Sequence, residues 1–223
     1  MTTTATSRVR SALRSWGPIA IVALLCVGVV IAVIAVQNSW WNDPDRVPSD
    51  QQAASDGMSV FTDAGMDFLT REGEVRIKVR ADALPASQLG LEPNGTQSFA
   101  PLVPIEAVVL GADGAFRVAL VRSFTIETRD DRVHSIELLR ETNGMWVTVS
   151  EQLAREASAW GWTDDDLAAL QDALTAASRS ASGDRYSAEL PAVPHKGALA
   201  SARIIVDTES PHVTVLFRVS RLD

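Results

Sequence analysis

Cysteine is almost missing from this chain. The one thiol in 223 residues, Cys26, lies inside a long apolar run, so everything after that run must fold without a disulfide, a thiol nucleophile or a thiolate-bound zinc. Histidine is nearly as scarce. His134, His195 and His212 show neither the i, i+4 spacing nor the strand alternation that brings two imidazoles to one metal, and they read as surface residues. Lysine is reduced to Lys78 and Lys196 beside 18 arginines, a bias that points to a GC-rich bacterial genome.

Positive charge is short as well. Of 20 basic residues three are Arg8, Arg10 and Arg14, so residues 37–223 set 17 cations against all 28 acids, a net charge of −11. A field of that sign excludes nucleic acid and an anionic lipid surface as partners, because both need cations to meet phosphate. Also missing are a G-x-S-x-G elbow, an H-E-x-x-H pair, a P-loop and a dinucleotide fingerprint. No residue set names a reaction or implies a cofactor or metal, and the expectation is a protein that is not an enzyme.

What is present is an uncharged run from Pro18 to Val36. Nineteen residues cross the roughly 30 Å hydrocarbon layer as a helix, in which every backbone group is bonded internally. Trp16 precedes the run and Trp40 and Trp41 follow it, a placement that matches the two membrane interfaces. The three arginines before it, with no acid before Asp43, put residues 1–17 in the cytoplasm and the rest outside. A cleaved signal with Val33-Ile34-Ala35 at its end is the rival, but the run exceeds the usual h-region of about 7–15 residues. Gly28 and Ala32 form a single small-xxx-small pair, too common a pattern to set against a passive anchor.

The organisation expected is a cytoplasmic tail over 1–17, a transmembrane signal-anchor helix over 18–36, a polar linker over 37–57 punctuated by Pro44 and Pro48, and one extracytoplasmic domain over 58–223. Residues 58–70 suit either a short helix or a strand. Val75, Ile77 and Val79 alternate with Arg76, Lys78 and Arg80, which predicts a strand, and residues 81–103 read as a long loop. A meander follows. Ile105–Leu110 turns through Ala112-Asp113-Gly114 into a run in which Phe116, Val118, Leu120, Phe124 and Ile126 share a face. Asp130-Asp131-Arg132 turns it into 133–140, and Asn143-Gly144 into a strand over 145–149. Helices are predicted over 151–160, capped by Ser150, and over 164–180, opened by a Thr163/Asp166 capping box. A loop with Pro191 and Pro194 leads to a last hairpin of 200–207 and 213–219. The fold class expected is α+β, a mainly antiparallel sheet with a helical pair on one face, preceded by the transmembrane helix.

Two features invite a binding role. Arg76, Lys78 and Arg80 form a cationic strand face on an acidic domain, suited to an anionic envelope polymer or an acidic envelope protein; the plainer reading is a solvated face guarding a sheet edge. Trp160 and Trp162 flank Gly161 and could stack a sugar or dock a protein; the plainer reading is an anchor that seats the helix junction on the sheet. Acidic clusters at 130–131 and 164–166 are explained by turn and capping chemistry, and Asn94-Gly95-Thr96 is a glycosylation sequon in the loop. The function expected is a single-pass cell-membrane protein whose outer domain binds or assembles. The alternatives are an anchored envelope hydrolase with a dispersed site and a structural subunit of a membrane complex.

Overall fold

The computed structural model describes residues 24–32, 48–142, 144–181, 183–209 and 213–222. The chain divides after Val47 into two compact units. In the first, residues 24–32 are helical and exposed throughout, Leu24 by 72% and Ile31 by 61%. Among the described residues no helix is long and apolar enough to cross a membrane. The rest of the 18–36 run, with Trp16, Trp40 and Trp41, lies outside the described residues.

The second unit is an α+β domain on one mixed, mainly antiparallel, eight-stranded sheet. Thr62 caps α1 (Asp63–Glu72) by accepting from Gly65 N, and Gly73, at φ 73°, reverses the chain into β1 (Glu74–Lys78). Next come a 3-10 turn (Ala86–Leu89), β2 (Gly95–Phe99), β3 (Ile105–Leu110), β4 (Ala115–Arg129) and β5 (Arg132–Thr142). Helices α2 (Trp146–Trp160) and α3 (Asp164–Ser180) precede β6 (Arg185–His195), β7 (Ala198–Asp207) and β8 (Val213–Arg221). The strand order is β1-β3-β4-β5-β8-β7-β6, with β2 paired to β4. Among the described strands only β1 and β3 run parallel. Val121 pairs with Ile105 on one side and Arg140 on the other, so β2 and β3 lie end to end along the side of β4 that β5 leaves free.

One face of the sheet is buried without interruption, through Ile126, Ile136, Val219 and Ala200 in one cross-strand row and Phe124, Leu138, Phe217 and Ala202 in the next. The sheet also curls on itself. Lys196 and Gly197 form a two-residue turn with φ of 49° and 72°, and this β6–β7 turn meets the β3–β4 turn although β5 and β8 separate β4 from β7 in the sheet. Asp113 N donates to Lys196 O at 3.0 Å, and Lys196 Nζ donates to Ala115 O at 2.8 Å while lying 5.0 Å from the Phe116 ring centroid. Burial there pulls the Lys196 ammonium below its ordinary pKa. Gly197 is required at this junction, because a Cβ there would come within 2.6 Å of Ala112 Cβ.

The bend that permits the curl is in β4. Its register slips against β3 between residues 118 and 121 and against β5 between 121 and 123, two bulges that each add a residue. They correct the expected face of this strand. Phe116, Val118, Phe124 and Ile126 are buried as predicted, but Val121 takes the core position expected for Leu120, which is 63% exposed with φ 60°. A leucine in the left-handed region is strained by about 1 kcal/mol, a strain held by the corner it occupies. Leu120→Gly is therefore expected to leave stability unchanged or raise it by about 0.5 kcal/mol, and Leu120→Val to lower it by about 1–2 kcal/mol. Urea unfolding of the two variants ranks them, and the reverse order would refute the account.

Three further expectations are corrected. The loop over 81–103 contains the 3-10 turn and β2. The strand over 145–149 is the first turn of α2, which starts after Met145, so Ser150 is no cap and its Oγ donates back to Val147 O at 2.8 Å. The apolar stripe Val149, Leu153, Ala157 and Trp160 is continuous at helical spacing, and docking it outweighs the strand preference of its valines. The proline loop is β6, an edge strand, where a residue without N–H is tolerated.

Candidate functional site

A cleft of about 420 Å³ opens beside β1, within the range of small-molecule sites. Local sequence builds it. Because Gly73 turns α1 directly into β1, Glu72 and Glu74 flank the turn and Arg76 follows on the same edge. The incoming chain closes the other wall: Ser59 N donates to Arg76 O and Arg76 N donates to Ser59 Oγ, both at 2.9 Å, which seats Met58 and Gln52 opposite Phe68 and Leu69. The result is an apolar floor with a charged rim. Arg76 is paired with Glu74, Arg71 lies 5.4 Å from the Phe68 ring centroid, and Glu72 has no ion-pair partner among the described residues. Such a site can hold a ligand with an apolar body and a cationic group.

The cationic stripe meets carboxylates. Besides Arg76 with Glu74, Lys78 Nζ lies 2.6 Å from Asp56 Oδ2 and Arg80 Nε lies 2.7 Å from Asp82 Oδ1. Each cation faces its own anion, so a polyanion would have to displace three carboxylates to use the stripe. Only Arg76 lines the cleft.

Trp160 and Trp162 are 2% and 4% exposed. Their rings stack on each other at 5.4 Å and 7°, and Trp160 lies 4.6 Å from Phe217 and 5.1 Å from Phe116. Trp162 Nε1 donates to Pro191 O at 3.3 Å. With both indoles enclosed, neither has a face for a sugar, and the pair anchors the α2–α3 junction to the sheet. The Thr163/Asp166 capping box is present, and the backbone and side-chain hydrogen bonds from Thr163 hold the Asp166 carboxyl below its usual range. Asp130 and Asp131 form a turn with φ of 50° and 55°, and Asp131 accepts from Ser87 N at 2.8 Å and Ser87 Oγ at 3.0 Å.

His195 packs 6.1 Å from Phe116, and His212 lies outside the described residues. No group of three or more acids, histidines or cysteines able to hold a metal occurs among the described residues. A second cleft, of about 650 Å³, lies between the end of α3 and the β6–β7 pair and brings Asp184 to Asp207 and Glu209, more than 20 residues further along the chain. Arg185 pairs with Asp207 there at 2.8 Å.

Sequence reasoning missed Arg140. It occupies the buried parity of β5 after Ile136 and Leu138, with a side chain only 3% exposed. Its Nη1 donates to both carboxylate oxygens of Glu156 on α2, at 3.0 and 2.9 Å, and its guanidinium lies 4.7 Å from the Phe217 centroid. Nε and Nη2 are buried without an acceptor. The signal in the sequence was a charged residue where alternation demands an apolar one. No protein-family model, no curated protein and no solved structure matches the chain.

Proposed function

We propose that this chain is a single-pass cell-membrane protein, anchored by residues 18–36 with its N-terminus in the cytoplasm, whose outer α+β domain binds an envelope partner in the β1 cleft. The observation that carries the reading is the cleft itself, with an apolar floor of Met58, Phe68 and Leu69 and at its mouth Glu72, which has no ion-pair partner among the described residues. The exposed apolar surface of the helical residues 24–32 supports the anchor, since a bilayer is the solvent such a surface requires. Tethering raises the effective concentration of a weak partner, so a modest cleft suffices.

A photo-crosslinking residue at Phe68 of the full-length protein in cells is expected to capture one reproducible species. Glu72→Arg should reduce that capture at least tenfold, about 1.4 kcal/mol, because it reverses a rim charge that has no ion-pair partner among the described residues. Capture unchanged by Glu72→Arg, or equal at an exposed site such as Ser187, would refute the cleft. Survival of capture when the anchor is exchanged for an unrelated helix separates a binding domain from a subunit held by its membrane segment. The hydrolase alternative is favoured only by the carboxylates of the second cleft, and it requires turnover of an envelope substrate that Asp184→Asn abolishes.

A further inference from the structure

A sheet edge is a row of free backbone donors and acceptors that takes another strand unless something blocks it. Two edges here are blocked. On β6, Pro191 and Pro194 offer no N–H and Arg185 and Glu189 add charge. On β1, Ser59 already occupies the Arg76 backbone, and Arg76 and Lys78 guard the rest. β2 has none of these devices. It pairs with β4 alone among the described residues, its five residues Gly-Thr-Gln-Ser-Phe carry neither charge nor proline, and Gly95, Thr96 and Ser98 are exposed. Immediately beyond it the chain presents Leu102, 95% exposed, and Val103, 50% exposed.

We propose that the free edge of β2 joins two copies of this chain, β2 against β2 in antiparallel order about a two-fold axis through Gln97. The strand is complementary to itself in that register. Gln97 faces Gln97 and Thr96 faces Ser98, which sets amide on amide and hydroxyl on hydroxyl, while Gly95 faces Phe99, whose ring stays packed 5.0 Å from Phe61 and 5.2 Å from Phe124. No like charges meet, although each outer region carries a net −11 and would repel its copy across most other surfaces. Five residues a side bury far less than the roughly 1,200 Å² of a stable complex, so the pair is weak in dilute solution and forms where copies are concentrated on one membrane. That last condition rests on the anchor reading.

The near-absence of cysteine supplies the test. In full-length protein with Cys26→Ser, single cysteines are placed by Gln97→Cys, Thr96→Cys or Ser187→Cys, and isolated membranes are treated with a mild oxidant. Directly opposed residues of an antiparallel pair stand about 4.5–5.5 Å apart at Cα, inside the range a disulfide spans, whereas a cysteine at 96 faces residue 98 of its partner. Gln97→Cys is expected to give at least ten times the dimer of either control. Equal yields at all three positions, or none at 97, overturn the proposal. Carbonate extraction of the same membranes reads the anchor separately; if the chain is not retained, the same three crosslinks are read on purified protein at millimolar concentration, with the same outcomes deciding. Differently tagged Gln97→Lys and Gln97→Glu chains should co-purify as a mixed pair at least tenfold better than either does with itself, and equal recovery overturns the two-fold register.

Discussion

Trp160→Ala is expected to lower the unfolding free energy by about 4 kcal/mol, the upper part of the range for deleting a buried large aromatic. The residue closes α2, Gly161 at φ 83° ends that helix, and Thr163 opens α3, so one indole holds two helices at their junction. The same ring touches Phe217 on β8 and Phe116 on the far side of the β4 bend. Alanine would leave a cavity bounded by three aromatic rings, none of which can collapse into it without moving a strand. Against a total stability of typically 5–15 kcal/mol this is a large fraction. Trp160→Phe, which keeps most of the apolar contact, should cost about half as much. Urea unfolding of the full-length protein followed by circular dichroism measures both, and a loss below 1 kcal/mol for the alanine variant would show that Trp160 does not organise the core.

The second large effect concerns Arg140. Glu156→Ala should destabilise by about 3 kcal/mol, because it leaves a guanidinium in the core without its counter-ion. The figure belongs at the lower end of what breaking buried pairs costs, since the Glu156 side chain is 31% exposed and water reaches part of it. The informative comparison is the double variant. With Arg140→Met and Glu156→Leu together, the orphaned Nε and Nη2 disappear along with both charges, and stability should return to within about 1 kcal/mol of the parent or exceed it. Contact with Phe217 at 4.7 Å is preserved in kind by methionine, whose sulfur also packs on aromatic rings. If the double variant is as unstable as Glu156→Ala, the pair contributes through its shape in the core rather than through its charge balance.

The two predictions bear on function through the same scaffold. The β1 cleft depends on β1 being held against β3, and β3 on the N-terminal half of β4, whose Phe116 leans on Trp160. Loosening the aromatic junction should therefore loosen the cleft. The rim substitution Glu72→Arg lies outside that chain of contacts and should alter binding without altering stability.

Some of this protein was determined by sequence alone because the causes are local. The Thr163/Asp166 capping box satisfies backbone N–H groups within one turn, so α3 begins where its sequence says. The strand alternation of Val75 with Ile77, and of Val213 with Val215, Phe217 and Val219, identifies the buried face from a period of two. The Asp130-Asp131 turn follows from residues that tolerate positive φ. Tertiary structure decided the rest, because the forces involved act between residues far apart in the chain. Val121 displaces Leu120 from the core because β4 must bend between two partners, and the first bulge shifts the alternation by one position until the second restores it at Phe124. Met145–Val149 enters a helix because Val149 gains more by burial under the α2 stripe than its strand preference is worth. β2 emerges from a Pro- and Gly-rich stretch because β3 covers only part of β4 and leaves hydrogen-bonding groups to be filled. The cleft belongs to the same class, since Met58 and Phe68 become its walls only once Ser59 has bonded to Arg76 across the intervening helix.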